Sequence, residues 1–533
     1  RFRGVTGVQT CALPIWKDST LLGGTVSDEQ GIFQIEKIED GSILKISYIG
    51  YKTEFINYTG QSFLTIALGN DATLLKEVVV KATLPKTRLK GEGMITNVVG
   101  SFLAKTSSVY QMLNLVPMVS VQNENIIVLG RGTPLIYIDG RPMQSSTELQ
   151  TLKPEEIKNI EVINNPGAKY PATTTCVLKI TTLRNRNQGL GISNQITSRL
   201  NEKHQMTWID ALRISRQTTH WDFNVYLFGE INKRPDDKQM RQHTLVGDSW
   251  LQTTDIAQTY KNVNPYGKLS ASYLLNDSNS IGACVYYDRY AYNGGEGTSN
   301  VTILKNSSLD EKNFSEYHSI AQSKNFGSNF YYYGKVGKLG VDFNTDYMWY
   351  GKKEPMNTHE VYTGTDAIKH TEDINTHRRT YNWIIASKLV LSYPVWNGTF
   401  SWGIEGSETN RKEFYSVLPE NKVSNVSNHI DEIMQAMMVD YARQFGPLSV
   451  QVGLRYEHLN FKFYDHDVLQ EEASKKYNDI FPSLSLSMPV GRAQMQLSYG
   501  VDVSRPSYSQ LRSGIQYDNR FTYEGGNPLL RPT

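Results

Sequence analysis

The chain has no apolar run approaching the ~20 residues that a membrane-spanning helix requires, and its mean hydropathy is −0.44. A helical membrane protein is thereby excluded. Cysteine is scarce: Cys11, Cys176 and Cys284 are the only three in 533 residues, and they lie far apart. No disulfide framework follows, and the redox compartment is not readable from them. Neither sign of charge predominates, with 55 basic against 53 acidic residues, so nothing points to nucleic acid. The ten histidines are scattered. Their densest cluster, Asp465-His466-Asp467, suits a solvated loop rather than a metal site. Gly-x-Ser-x-Gly, His-Glu-x-x-His and Cys-x-x-Cys spacings are all missing, so no catalytic, cofactor-binding or metal residue is predicted and the chain is not expected to be an enzyme.

Aromatic residues are what the chain has in quantity: 32 Tyr, 18 Phe and 8 Trp in a polar protein. A soluble β-rich protein carries such a load, and so does an outer-membrane barrel with its aromatic girdles. Alternation separates the two. From Gly189 onward, Trp221, Phe223, Val225, Leu227 and Ile231 alternate with Asp222, Asn224 and Glu230. Leu339, Val341, Phe343 and Tyr347 alternate with Asp342, Asn344 and Asp346, and Leu448, Val450, Val452, Leu454 and Tyr456 with Ser449, Gln451, Arg455 and Glu457. Each run is ~10 residues, the length of a tilted transmembrane strand with one apolar and one polar face. Soluble sandwiches average five or six residues per strand, so the barrel is favoured. The polar phase carries the charges, as a water-filled lumen would require, and the stretches 294–314, 354–375 and 419–428 read as polar external loops.

Ahead of the barrel, a compact α+β unit is predicted. Leu135-Ile136-Tyr137-Ile138 is a short strand closed by a tight Asp139-Gly140 turn. Pro154-Glu155-Glu156 suits a helix start, with Ile157, Ile160, Val162 and Ile163 as its apolar positions. Pro166-Gly167 breaks the chain, and 177–181 is a last strand. A helix over 109–116, stopped by Pro117, and a strand pair over 120–129 precede them. The Gly130-Arg131-Gly132 stretch is a turn, since it lacks the spacing and the Lys-Ser/Thr of a P-loop.

These residues resemble the plug domain of TonB-dependent outer-membrane receptors. The matching positions are Tyr137, Asp139 and Gly140 in the strand and turn, Glu161 in the following apolar segment, and Pro166, Gly167 and Tyr170. Here Pro171-Ala172-Thr173-Thr174-Thr175-Cys176 stands where the family usually has a Gly-rich turn. At the far end, FPSLSLSM, LSYGVDVSRPSYSQL and GGNPLLRP are similar to the signature of the outer-membrane β-barrel family, with Arg505, Pro506, Asn527 and Pro528 at matching positions. The stretches SDEQGIFQI and LKISYIGYKT are similar to the carboxypeptidase regulatory-like domain, a non-catalytic immunoglobulin-like β-sandwich. Its strands are expected at 24–26, 32–35, 43–48 and 63–68. Between the two domains, Glu77, Val78, Val79 and Val80 resemble a TonB box, although the same run also reads as the last strand of the sandwich.

The expected architecture is therefore mainly β. Residues 1–16 contain GVQTCALPI, similar to adapter read-through, and are set aside as non-native. Residues 17–73 form the sandwich, 74–83 the linker, 84–185 the plug and 189–533 an antiparallel transmembrane β-barrel. About 15 strands fit into the last segment where plugged transporters close at about 22, so a fragment truncated at both ends, without its export signal, is expected. The resemblance implies energy-coupled uptake of a scarce nutrient (siderophore, glycan or peptide) through the outer membrane of a Gram-negative bacterium. The implied partners are TonB with ExbB and ExbD, outer-membrane lipid, and a surface lipoprotein. The alternative is a plugged barrel that does not transport, acting as a surface receptor or adhesin. Tyr292, Tyr317 and Tyr362 could stack on sugars, and Arg131 or Arg141 could face an anionic chelate, but each reads more simply as loop or girdle chemistry.

Overall fold

The computed structural model describes the chain except for residues 1, 4–11, 18–19, 29–30, 36–37, 49–50, 70–83, 91, 123, 144–147, 150–151, 184–188, 277 and 492. Two compact units emerge, Arg1–Ala82 and Thr83–Thr533. The residues read as a TonB box, Glu77 to Val80, lie outside the described residues.

The first unit contains β1 (Phe2–Arg3), β2 (Ala12–Lys17), β3 (Thr20–Val26), β4 (Ile32–Phe33), β5 (Ile43–Ile46) and β6 (Glu54–Asn57). A four-stranded sheet has the order β3-β2-β5-β6, and β1 pairs with β4. Its second-in-line strand, β2, comes from the segment set aside at the sequence level. Phe33, Leu44, Ile46 and Ile66 form the core. The strand expected over 63–68 is not one: the segment joins no sheet among the described residues. Its alternation is real nonetheless, because Leu64, Ile66 and Leu68 pack inward while Phe63 faces out. A strand also needs a partner ladder, and none lies alongside among the described residues.

The second unit begins with the plug. Its strands are β7 (Thr87–Lys90), β8 (Gly93–Asn97), β9 (Val119–Gln122), β10 (Asn125–Val128), β11 (Leu135–Ile138), β12 (Arg141–Pro142), β13 (Ile157–Ile163) and β14 (Val177–Thr182). Six of them make one sheet, β12-β11-β14-β13-β8-β7, while β9 and β10 form a hairpin. Helix α1 spans Val109–Leu113, shorter than the expected 109–116, and Ser108 caps it by accepting from the Gln111 N–H at 3.2 Å. Leu103, Met112, Leu113, Ile157, Ile160 and Leu178 are buried together between helix and sheet. Asp139 and Gly140 take φ of 50° and 82°, the paired left-handed conformations of a two-residue hairpin turn. The Asp139 carboxylate then accepts from the Thr182 N–H at 2.8 Å and the Thr182 hydroxyl at 2.7 Å, tying the turn to β14.

One expected element changes class. Residues 154–156 make a single 3-10 turn, and 157–163 are strand β13, not helix. A register shift between Ile157 and Asn159 places Ile157 and Ile160 on one face although they are three residues apart. A bulge thus mimics helical spacing.

The remainder is one 14-stranded antiparallel sheet. Its strands are β15 (Gly189–Leu200), β16 (Met206–Gln217), β17 (Trp221–Val246), β18 (Asp248–Asn276), β19 (Asn279–Lys305), β20 (Ser308–Val336) and β21 (Leu339–Thr363). Then follow β22 (Lys369–Val395), β23 (Gly398–Leu418), β24 (Val426–Phe445), β25 (Leu448–Asp465), the short β26 (Val468–Leu469), β27 (Lys475–Val490) and β28 (Ala493–Gly500). Each strand pairs with its sequence neighbour, except that β26 only flanks β25. A separate hairpin, β29 (Ile515–Asn519) with β30 (Thr522–Gly525), comes last.

Strands of up to 29 residues far exceed the ~10 that cross a bilayer. The stretches 294–314 and 354–375 are consequently paired strand rather than loop, interrupted by tight turns such as Asn306-Ser307. Their polar, threonine-rich composition suits an extended ladder projecting beyond lipid as well as it suits a loop. Connections remain at 364–368 and 419–425. Tyr292, Tyr317 and Tyr362, read as loop residues, likewise sit in β19, β20 and β21.

This wall is inverted relative to a soluble sheet. On β25, Val452, Leu454 and Tyr456 are exposed while Arg455 and Glu457, between and beside them, are each 1% exposed. Trp221, Phe223, Leu227 and Ile231 are exposed in the same way on β17. An apolar outer face is what lipid requires.

Candidate functional site at the seam between plug and wall

The plug meets the inner face of the wall along the loop that joins β13 to β14. Pro166 and Gly167 turn the chain out of β13, and the loop then lies against β22, β24, β25 and β27. Ala168 is buried with Val390 and Met438, and a methyl group added at Gly453 would lie 2.8 Å from the Ala168 Cβ. The glycine on β25 is therefore what lets the plug backbone approach the wall so closely.

Polar contacts follow in order along the loop. The Gly167 N–H donates to Glu92 Oε2 at 3.0 Å. Gln451 bridges plug and wall, donating to that Glu92 oxygen at 3.4 Å and to Asp440 Oδ2 at 3.0 Å. Lys169 pairs with Asp440 at 3.3 Å, and Lys388 donates to the Lys169 carbonyl. The Ala172 N–H donates to Glu457 Oε1 at 3.0 Å. Glu457 is itself held by Arg455 at 2.6 Å and by Arg505 at 2.7 Å, and Arg455 reaches Glu405 at 3.0 Å. The lumen at Arg455 is therefore a packed ionic network, not the water-filled space expected from the alternation. A charge buried this deeply persists because several partners satisfy it together.

Tyr170 anchors the loop. It is buried against Ile163 and Val177, meets Tyr137 edge-on with ring centroids 5.9 Å apart, and has the ammonium groups of Lys179 and Lys388 at 5.4 and 5.7 Å. Burial pushes the Tyr170 hydroxyl well above its ordinary value, and carboxylates led by Glu92 add to the shift. Glu161 lies across from Lys179 on β14, at 3.8 Å. Burial also pushes Glu92 up to about 7; Lys179 and Lys169 oppose the shift, as does the Gly167 N–H, and Asp440 reinforces it. A cavity of about 750 Å³ opens beside Glu92, bordered by Glu161, Lys169, Arg443 and Gln451.

The plug-motif residues thus separate into two groups. Tyr137, Glu161, Pro166, Gly167 and Tyr170 converge at the seam, whereas Asp139 and Gly140 shape a turn inside the plug. Of the barrel-signature residues, Arg505 reaches the seam through Glu457. Asn527 lies apart from it: its N–H donates to the Gln510 carbonyl at 2.6 Å and its side chain accepts from Leu529 at 2.9 Å, with Pro528 in the turn between. Glu92, Asp440 and Lys388 were not singled out from sequence, and Gln451 stood out only as one of the polar-phase residues of its strand. Arg455 and Glu457 carried a signal, two opposite charges spaced to share the inner phase of one strand. Among the described residues no group of His, Cys, Asp and Glu is arranged to hold a metal ion.

Two family models match the chain: the TonB-dependent receptor plug domain over residues 95–175 and the outer membrane protein beta-barrel family over 334–533. A search of the curated proteins found no match. Solved structures similar to the chain include a variant of the ferric enterobactin receptor PfeA of Pseudomonas aeruginosa, at 9% identity and a TM-score of 0.28, covering 77% of this chain and 92% of that one. The ferric citrate transporter FecA is 10% identical with a TM-score of 0.30, over 80% and 87% of the two chains. The ferric yersiniabactin receptor FyuA of Yersinia pestis is 9% identical with a TM-score of 0.28, over 78% and 85%. Likenesses this distant carry no weight beside the two family matches. With a plug and an outer-membrane wall matched in tandem, and a seam of buried charge joining them, the chain belongs to the TonB-dependent outer-membrane receptors.

Proposed function

We propose that this receptor imports a scarce nutrient into the periplasm by energy-coupled displacement of its plug. The observation that carries the reading is the hydrogen bond from the plug main chain at Ala172 to Glu457 of the wall, 1% exposed in its ionic network. A lumen closed in this way offers no passive route, so a force must part the seam. Each contact contributes only ~0.5–3 kcal/mol, and a pull can therefore break them one after another. TonB, energised through ExbB and ExbD, would supply that pull by adding a strand to residues 77–80, since main-chain bonds give grip without demanding particular side chains. No step in this function needs a nucleophile or a cofactor, and the chain acts as a transporter rather than an enzyme.

The test is binding of a peptide covering residues 74–83 to the periplasmic domain of TonB, compared with the Val79→Pro peptide, which loses a ladder donor. Binding that proline abolishes is the expected result. No binding by either peptide would remove residues 77–80 as the coupling segment and favour a plugged receptor or adhesin that does not transport.

A further inference from the structure

The segment after β28 behaves as a ligand of the wall. Residues 505–520 cross the inner face from β25 to β20, and a wall carboxylate receives them at each step. Arg505 pairs with Glu457 of β25 at 2.7 Å, and Arg512 with Glu413 of β23 at 3.3 Å. The Tyr517 hydroxyl donates to Glu360 of β21 at 3.0 Å. Arg520 pairs with Glu311 of β20 at 3.2 Å while its guanidinium lies 3.8 Å from the Tyr362 ring centroid.

One contact reads main chain. The Tyr415 hydroxyl accepts from the Tyr517 N–H at 3.1 Å and donates to the Tyr517 carbonyl at 3.3 Å. Any peptide unit offers that donor and acceptor pair, so the wall holds an extended peptide by its backbone while carboxylates hold its side chains.

Release of the segment would strand few charges. Glu457 would keep Arg455, and Glu413 would keep Arg411 at 3.0 Å and Arg378 at 3.7 Å. Glu311 would lose Arg520, and Glu360 would lose Tyr517. Glu360 is 1% exposed, its Oε2 has no hydrogen-bond partner even with the segment in place, and Tyr517 holds its other oxygen. An unmatched buried carboxylate favours an incoming cation.

We propose that residues 505–525 form a releasable strap, and that the track beneath it, made by Glu311, Glu360 and Tyr415, is the recognition site for a cationic peptide bearing guanidinium groups. This rests on the transport reading and names its substrate class: the peptide would take the strap's place. A tethered strap competes at high effective concentration, so it also sets the threshold for occupancy.

The test uses the full chain purified in detergent, with no TonB, and a fluorescein-labelled peptide of the sequence 512–523. Wild type should bind it weakly. Arg512→Ala/Arg520→Ala should free the strap, speed chymotryptic cleavage at Tyr517 and Phe521, and bind the probe about tenfold more tightly, with high salt weakening the complex. Adding Glu311→Gln/Glu360→Gln to that variant should abolish the gain, and heat-modifiable gel mobility reports that each variant is folded. Unchanged cleavage in folded Arg512→Ala/Arg520→Ala would overturn the strap. Faster cleavage without tighter binding would overturn the recognition track. Either failure leaves the TonB peptide result standing, and failure of that result leaves this binding assay intact.

Discussion

At Gly167 the backbone N–H and the absent side chain serve the same contact. The N–H reaches Glu92 at 3.0 Å, and a methyl group in place of the α-hydrogen would lie 2.8 Å from the same Oε2 atom. Gly167→Ala must push Glu92 aside, which loosens that bond and the Gln451 bridge behind it. The expected cost is about 1–3 kcal/mol, read as faster tryptic cleavage after Lys169. Glu92 also makes the seam pH-sensitive. Its carboxyl titrates at about 7 in the folded protein against an ordinary 4.5, so the folded state holds a proton through that window which the unfolded chain has released. The stabilisation is therefore full below pH 4.5 and is lost as the pH rises through about 7. The groups facing Glu92 are Lys179 of β14, Lys169 and the Gly167 N–H of the loop, and Asp440 of β24. Exchange protection of the Gly167 amide, corrected for intrinsic rate, should fall between pH 5 and 8, and Glu92→Gln should hold it constant. Undiminished protection in wild type would show that Glu92 is ionised throughout.

At the scale of elements, the plug sheet turns on β13, which lies between β14 and β8. Ile160 on it is fully buried, so Ile160→Ala should cost about 2–5 kcal/mol, whereas exposed Lys158→Ala on the same strand should stay within about 0.5 kcal/mol. Urea dependence of plug proteolysis separates the two. This strand also shows where sequence reasoning stops. The apolar positions of 157–163 were visible, but a bulge imitates a helical period and only the neighbouring ladder reveals it. The 135–140 hairpin was legible because Asp-Gly dictates its own backbone conformation. Strand length in the wall was not, since polar residues beyond the lipid band carry no alternation that marks where a ladder ends. The seam was half legible. Pro166, Gly167 and Tyr170 stood out as a motif, while Glu92 and Asp440, 348 positions apart by their numbers, meet only through the fold.

At the scale of the molecule, the wall reverses the usual rule of burial, and that reversal fixes which substitutions it can accept. Leu454 of β25 and Val439 of β24 are register partners that both face outward. An arginine at 454 would sit in lipid at a cost of ~2–4 kcal/mol near the midplane, although Arg455, its neighbour in sequence, is accommodated on the inner face by Glu457 and Glu405. Ser449 gives the comparison. It lies on the inner phase of the same strand and borders the cavity beside Glu92, where a guanidinium finds space and a carboxylate. Leu454→Arg should therefore slow assembly into liposomes and reduce the fraction of heat-modifiable folded protein, while Ser449→Arg should assemble as wild type does. The introduced residue and the strand are common to both variants, while the face differs and, by five residues along β25, so does the depth. Equal assembly of the two would mean that the outward face of β25 does not meet lipid.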